Sequence, residues 1–392
     1  MPERLNDRLL SWASSLDADT REQAERVAGL PILAGHVALM PDAHLGYGGP
    51  VGAVIPTAGA LVPAAVGVDI GCGMVAQQTV LTTADVPDLR AVLHRIGQAV
   101  PAGVGQGHDS ERAGREWLDA NPHPEAGLDL SATQRRRVTE QFGTLGSGNH
   151  FLTLCADPDD RVWIVLHSGS RGIGNQLAQA HIDRAKKAAR RRGDHLADEG
   201  LAWVEEGTEA FASYVADLQW AQRYALANRE RMVTLVLQVL AAQTRRDVEA
   251  LDEGCRLVNC HHNYAARETY DGEEIWVTRK GAVRAGEGDL AIIPGAMGGT
   301  VYLAAGKGNP RAFASCAHGA GRAMSRRQAK RQFSEEDLAA AMGDRTWLSD
   351  RARDLLDEIP GAYKDLEVVM ADQADLVEPV TRLQEILNYK GS

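Results

Sequence analysis

Twelve histidines occur in the 392-residue chain. Six of them stand in loops flanked by glycine or asparagine: His44 in MPDAHLGYGG, His150 in GSGNH, His167 in LHSGSRG, His261 and His262 in NCHHNYA, and His318 in AHGAGR. Each adjoins a strand-to-loop transition, where polar side chains are displayed to substrates. The run VGVDIGCGM adds Asp69 and Cys72 at a strand end, with glycines that permit a tight turn. Taken singly, each residue has a plain structural account, a buried histidine satisfied by a carbonyl or a cysteine acting as a small core residue. Taken together, a thiolate, a carboxylate and several imidazoles form a mixed donor set that suits a divalent transition metal. One thiolate can bridge two ions, and paired ions suit phosphoryl chemistry.

An anionic partner is signalled separately. Arg171 in SGSRG, Lys280 in VTRKGAV, and Arg322 and Arg326 in HGAGRAMSR lie in or beside the same loops. Guanidinium forks bind phosphate oxygens bidentately, while backbone N–H groups of glycine loops cradle them. The basic runs QRRR and AKKAARRR read instead as solvated helix faces. GTLGSGN and PGAMGG look like nucleotide loops, but no GK[ST] follows either and neither opens a βαβ unit.

The elements that must position these groups alternate in type. Residues 1–35 predict an amphipathic helical segment, 36–82 glycine-rich strands, and 83–142 mostly helix. FGTLGSGNHFLTL and RVWIVLHSGSRGIGN then read as strands, each touching a glycine loop. Residues 176–253 form a long helical stretch, followed by short strands with glycine turns and a helical tail. This order indicates α+β rather than repeating βαβ. Chemistry-bearing loops lie on both sides of the long helical stretch, so residues 1–392 are expected to form a single domain.

Composition narrows the function classes. Apolar residues make up 44% and charged residues 24%, as in a folded domain. Asp plus Glu outnumber Lys plus Arg by 53 to 42, a net charge of −11. That excludes nucleic-acid coating through bulk charge and leaves room for a focused basic cleft. The five cysteines contain no CxxC pair, which disfavours a disulfide framework or zinc ribbon and points to a reducing cytosol. The N-terminus has no apolar signal-peptide core. Val51 to Val68 carries no charge, yet Gly52, Pro56, Gly59, Pro63 and Gly67 would break a spanning helix, so buried strands are expected there.

In order along the chain, MPDAHLG, VGAVIPT, VPAAVGVDIGCGM, GTLGSGNHF, HSGSRG, NCHHNYA, TRKGAV, IIPGAMG, HGAGRAMSR, AYKD and a terminal YKG resemble the RtcB family of RNA ligases. The resemblance runs from about residue 39 to residue 391. It implies packed mixed β-sheets flanked by helices around a central metal-containing cleft. It also implies a GTP- and manganese-dependent ligase that uses two Mn²⁺ ions. Such enzymes join an RNA 3′-phosphate, or a 2′,3′-cyclic phosphate after opening, to a 5′-hydroxyl end in RNA repair or tRNA splicing. The family's guanylylated nucleophile falls on His318, with Asp42 as its orienting carboxylate. The metal ligands fall on Asp69, Cys72, His150, His167 and His262. Nucleotide contacts fall on Asn149, Pro294, Gly295, Ala296, Met297, Gly298, His318, Gly319, Ala320, Gly321, Tyr363 and Lys390. RNA or phosphate contacts fall on Arg171, His261, Lys280, Arg322 and Arg326. A cytoplasmic setting, no membrane, and an archease-type activator complete the expectation.

Several positions depart from the family pattern. The family's NHFxE glutamate is Thr153, PGSMG becomes PGAMG with Ala296, Val301 replaces a common serine or similar residue, and Ser147 replaces the middle glycine of GTLGGGNH. The missing glutamate reads the base in the family, so nucleotide selectivity is left open. The alternatives are a metal-dependent phosphoesterase that opens cyclic phosphates without ligating, and a paralogue with altered nucleotide or RNA preference.

Overall fold

The structure is a computed structural model that describes residues 2–391. Two sheets form its frame. The six-stranded sheet runs, in spatial order, Glu3–Asn6, Leu9–Ser11, Val37–His44, Val51–Thr57, Glu273–Lys280 and Asn263–Tyr270. The seven-stranded sheet runs Leu257–His261, Gly73–Thr82, Arg161–Ser168, Phe151–Ala156, Val377–Lys390, Thr300–Gly306 and Leu290–Pro294. Every pairing in the second sheet is antiparallel, whereas Leu9–Ser11 pairs parallel to Val37–His44 in the first. The α+β expectation holds.

The sheets meet through a shared apolar core. Met40, Val54 and Val277 of the first pack with Ile293, Tyr302 and Ala304 of the second. Two helices cover one face of the seven-stranded sheet. Leu89–Ala99 and the 36-residue Glu209–Thr244 bury Val92, Ile96, Met232, Val236 and Leu240 against Val75, Leu152, Ile164 and Leu166. Helix Arg171–Arg192 packs beside the long helix, and Gly193 in the left-handed region ends it. Each fully buried Leu or Ile in these layers stabilises the fold by roughly 2 kcal/mol relative to exposure. No helix among the described residues is long and apolar enough to cross a membrane. The uncharged run near Val51 forms the strand Val51–Thr57 and the four-residue helix Pro63–Val66.

Two expectations about elements are corrected. The N-terminal segment is not helical throughout, because Glu3–Asn6 and Leu9–Ser11 are strands and the helix is confined to Ala18–Ala28. Leu9 and Leu10 are buried by pairing with Val37 and Ala38, a non-local contact that overrides helical periodicity. The C-terminal tail has helices, including Arg326–Gln332, Glu335–Met342 and Leu366–Asp372, but ends in the 14-residue strand Val377–Lys390. That strand lies inside the sheet, hydrogen-bonded to Phe151–Ala156 on one side and Thr300–Gly306 on the other.

Candidate functional site

Four neighbouring antiparallel strands of the seven-stranded sheet end at one edge, and that edge carries the donor set. His262 follows Leu257–His261, Cys72 precedes Gly73–Thr82, His167 is the penultimate residue of Arg161–Ser168, and His150 precedes Phe151–Ala156. Register fixes their approach: His261 pairs with Gly73, Met74 with His167, and His167 with Phe151. The backbone N–H of His262 donates to the Cys72 carbonyl at 2.8 Å, stitching two of the loops together. Gly73 permits this closeness, since a Cβ there would lie 2.1 Å from the Cys260 carbonyl oxygen.

The resulting contacts are short. Cys72 Sγ lies 3.1 Å from His167 Nε2 and 3.4 Å from His150 Nε2, and His167 Nε2 is 3.0 Å from His262 Nε2. Asp69 Oδ2 approaches His150 Nε2 to 2.9 Å. Cys72 and the three histidines are all buried. His167 Nδ1 faces the Asn149 carbonyl at 3.2 Å, so Nδ1 carries the proton and Nε2 turns a bare lone pair toward Cys72 and His262. Converging lone pairs with few protons between them repel unless a cation joins them. The donors Cys72, His150 and His167 all lie within 4.8 Å of one another, and this set of soft and borderline ligands fits a transition metal. Burial penalises the charged forms, pushing the Cys72 thiol up, with Asp69 adding to the rise, and holding His167 and His262 neutral. Asp69 is half-buried; its desolvation would raise it, but His150 and Arg171 bring its acid down to about 2.

Beside this cluster stands a second pair. His318 Nδ1 is 2.6 Å from Asp42 Oδ2, and the His318 backbone N–H donates to the same oxygen at 3.1 Å. Asp42 is wholly buried within the strand Val37–His44, and Lys364 brackets it by donating to the carbonyls of Pro41 and Ala43 at 3.1 and 2.8 Å. The His318 ring lies 4.8 Å from that of His262. His44 lies 6.5 Å from His318 on another side, and burial pushes its imidazolium down to about 4, so it is neutral near neutral pH.

A cavity of about 310 Å³ opens over both groups. Of the nucleotide contacts expected from sequence, Asn149, Pro294, Gly295, Ala296, Met297, His318, Gly319, Ala320, Gly321, Tyr363 and Lys390 line it. Gly298 is not among the lining residues, and its N–H donates to Glu385 at 2.7 Å. Lys280, Arg322 and Arg326 also line the cavity. Lys280 Nζ donates to the carbonyls of Tyr47 and Ala64, and burial pushes its ammonium down to about 7. Arg171 and His261 lie outside it. Arg171 packs behind the metal cluster, 3.1 Å from His150 Nδ1, and His261 Nδ1 meets the Gly71 carbonyl at 2.8 Å.

Sequence reasoning missed three groups. Glu358 gathers the cationic wall: Lys390 Nζ at 2.9 Å, the Tyr363 hydroxyl at 2.8 Å, and Arg326 all meet its carboxylate. The DEIP run just before AYKD was its one available signal. Arg229, fully buried on the long helix, donates to the Gly71 and Ser168 carbonyls at 2.9 and 3.0 Å and so braces two ligand loops. Glu385 and Asn388, from the terminal strand, also line the cavity, and no motif marked them.

The chain is similar to known proteins over nearly its whole length. A family model described as tRNA-splicing ligase RtcB matches residues 23–391. The RNA-splicing ligase RtcB of Escherichia coli strain K12 is 43% identical, covering 96% of this chain and 95% of its own length. The protein of the same name from Mycobacterium tuberculosis is 32% identical over 94% of this chain and 100% of its own. The tRNA-splicing ligase RtcB of Thermococcus kodakarensis is 31% identical, covering 95% and 91%. On this match, running nearly end to end, the chain belongs to the RtcB family.

Proposed function

We propose that the protein is an RNA ligase that joins an RNA 3′-phosphate, or a 2′,3′-cyclic phosphate after opening, to a 5′-hydroxyl end, consuming GTP. The observation that carries this reading is the Asp42–His318 pair set beside a buried Cys–His cluster in one cation-lined cavity. Asp69, Cys72, His150, His167 and His262 would hold the metal, with Mn²⁺ the ion implied by the resemblance. Bound there, the metal would supply positive charge against phosphate oxygens.

The chain's own groups account for the rest. Asp42 holds the proton on His318 Nδ1 and leaves the Nε2 lone pair as nucleophile. Nε2 forms a bond to the α-phosphorus of GTP while the bond to the bridging oxygen breaks and pyrophosphate leaves. An oxygen of the RNA 3′-phosphate then takes the nucleotidyl group from His318, which returns to neutral imidazole. The 5′-hydroxyl oxygen attacks the activated 3′-phosphorus, its proton passes to solvent, and GMP leaves. Lys280, Arg322 and Arg326, which line the cavity, would hold phosphates during these exchanges. The phosphoesterase alternative would use the same oriented histidine as a general acid or base, so it is the similarity to RNA-splicing ligases over nearly the whole chain that favours ligation.

A single domain, a reducing cytoplasm and an archease-type activating partner belong to the same proposal. The first is supported by the core shared between both sheets and by site residues running from Asp42 to Lys390. The second is supported by five free cysteines, three of them buried. The test mixes 3′-phosphate and 5′-hydroxyl RNA strands with protein, Mn²⁺ and GTP, with and without such an activator. Joined product is expected from wild type and none from His318→Ala or Cys72→Ala. No joining under either condition, or equal joining by His318→Ala, would overturn the reading.

A further inference from the structure

The cavity has an acceptor-lined patch that the transfer chemistry leaves unused. Glu385 and Asn388 line it, and both are at least 95% buried. Glu385 Oε1 accepts from the Gly298 N–H at 2.7 Å, and Oε2 accepts from Asn388 Nδ2 at 3.0 Å. Asn388 Oδ1 is buried with no hydrogen-bond partner. A carboxylate has about four lone-pair sites, so Glu385 keeps acceptor capacity beyond Gly298, Asn388 and the neighbouring Thr153 hydroxyl. An unmet buried acceptor is costly, which marks this patch as complementary to a ligand that brings N–H donors.

The backbone arranges this patch deliberately. Residues three apart on a regular strand face opposite sides of the sheet. The register shift between Glu385 and Leu387, against Cys155 and Leu154, inserts one extra residue. Glu385 thereby shares a face with Asn388 and Lys390. Apolar groups flank the patch, since Phe151, Pro294, Met297 and Val301 line the same cavity and suit the faces of a flat ring. Thr153 does not itself line that wall: it is wholly buried, and its hydroxyl, which donates to the Leu387 carbonyl, sits beside Glu385. Ala296 offers only a methyl group.

We propose that Glu385, with Asn388 beside it, is the base-selecting residue of the site and reads a nucleobase edge bearing two adjacent N–H donors. Among the common bases this is guanine, whose N1–H and 2-amino group adjoin. Adenine offers its 6-amino group beside an acceptor nitrogen. The inference rests on the nucleotide-dependent reading above and specifies which nucleotide the cavity takes. The carboxylate arrives from the strand next to Thr153, so base reading is carried by Val377–Lys390 rather than by Phe151–Ala156. Glu385→Gln is a mild replacement for the fold, because the amide oxygen still accepts from Gly298. Burial already pushes the native acid up to about 7.

The test is equilibrium binding by calorimetry, with Mn²⁺ present, of the α,β-methylene analogues of GTP, ITP and ATP, which resist transfer to His318. Wild type is expected to prefer the guanine analogue over the adenine analogue by roughly 30-fold or more, and over the hypoxanthine analogue, which lacks the 2-amino group, by roughly 5-fold. Glu385→Gln should bring guanine and adenine within about 3-fold, while affinity for inorganic triphosphate stays at the wild-type value and shows the cavity intact. Thr153→Ser should keep the wild-type ratios. An unchanged guanine preference in Glu385→Gln, no preference in wild type, or no binding of any analogue would each overturn the proposal. Ligation by wild type with an unmoved ratio would leave the ligase reading standing and remove this one. A Glu385-dependent preference without ligation would do the reverse.

Discussion

Replacing Asp42 by asparagine isolates what a carboxylate does for His318. The side chain is wholly buried, and its Oδ2 serves both Nδ1 and the backbone N–H of His318. Oδ1 has no hydrogen-bond partner. If the asparagine oxygen takes the Oδ2 position, its amino group lies unpaired where Oδ1 was. If it flips, donor faces donor at His318, and the imidazole is driven to the tautomer with its proton on Nε2. In either orientation the negative charge that stabilises a cationic, nucleotide-bearing imidazole is gone. A hydrogen bond to a charged group is worth about 1.5–3 kcal/mol, so the transfer step should slow by roughly 10- to 150-fold. Equilibrium affinity for nucleotide should change little, because Asp42 lies behind the histidine and does not line the cavity. Single-turnover labelling of the protein with α-labelled GTP measures the step, and calorimetry with the methylene analogue measures binding. A transfer rate within about 3-fold of wild type would refute the positioning argument, since the loss of any charged hydrogen bond exceeds that.

Other outcomes follow from the same geometry. Gly281 has φ +61°, and an added Cβ would lie 2.3 Å from Val51 Cγ1 and 3.0 Å from His318 Cε1. Gly281→Ala should therefore lower stability by about 1–3 kcal/mol and reduce His318 labelling at least 10-fold, read by denaturant melts and by the labelling assay. Loading with Co²⁺ should give a thiolate-to-metal charge-transfer band that Cys72→Ser abolishes; an identical spectrum from the variant would remove Cys72 from the metal site. Burial raises the Glu385 acid from an ordinary 4.5 to about 7, against hydrogen bonds from Asn388, Gly298 and Thr153 and the charge of Arg345. The folded state thus holds a proton that the unfolded state releases between those values. This contribution to stability is full below about pH 4.5 and is lost as pH rises through about 7, amounting to about 3 kcal/mol. Urea melts at pH 5 and pH 8 should show that loss in wild type and a flatter profile in Glu385→Gln.

The clustering of Asp69, Cys72, His150, His167 and His262 was legible because their motifs are local. Asp69 with Cys72, the NH pair and the HH pair each sit at a strand end, and pairing the strands in register brings those ends together. Arg171 and His261 show the limit of that legibility. Residue type made Arg171 a phosphate contact and the family resemblance did the same for His261, yet packing places Arg171 behind His150 and points His261 at the Gly71 carbonyl, so neither lines the cavity. Glu385 and Asn388 were hidden for a different reason. VEPVTRLQEILNYK carries charges at spacings compatible with a helix, and it becomes a strand through partners far away in sequence on both sides. The bulge that turns Glu385 to the cavity arises only once that pairing exists. The N-terminal strands follow the same rule, with Leu9 and Leu10 set by Val37 and Ala38.

The central claim is that His318, oriented by Asp42 beside a Cys–His metal cluster, carries the nucleotide covalently. Its most direct test is peptide mapping by mass spectrometry after incubation with Mn²⁺ and GTP, without RNA. An acid-labile GMP adduct is expected, confined to the peptide containing His318 and absent from His318→Ala. Unmodified wild-type protein, or an adduct on another residue that persists in His318→Ala, would contradict it.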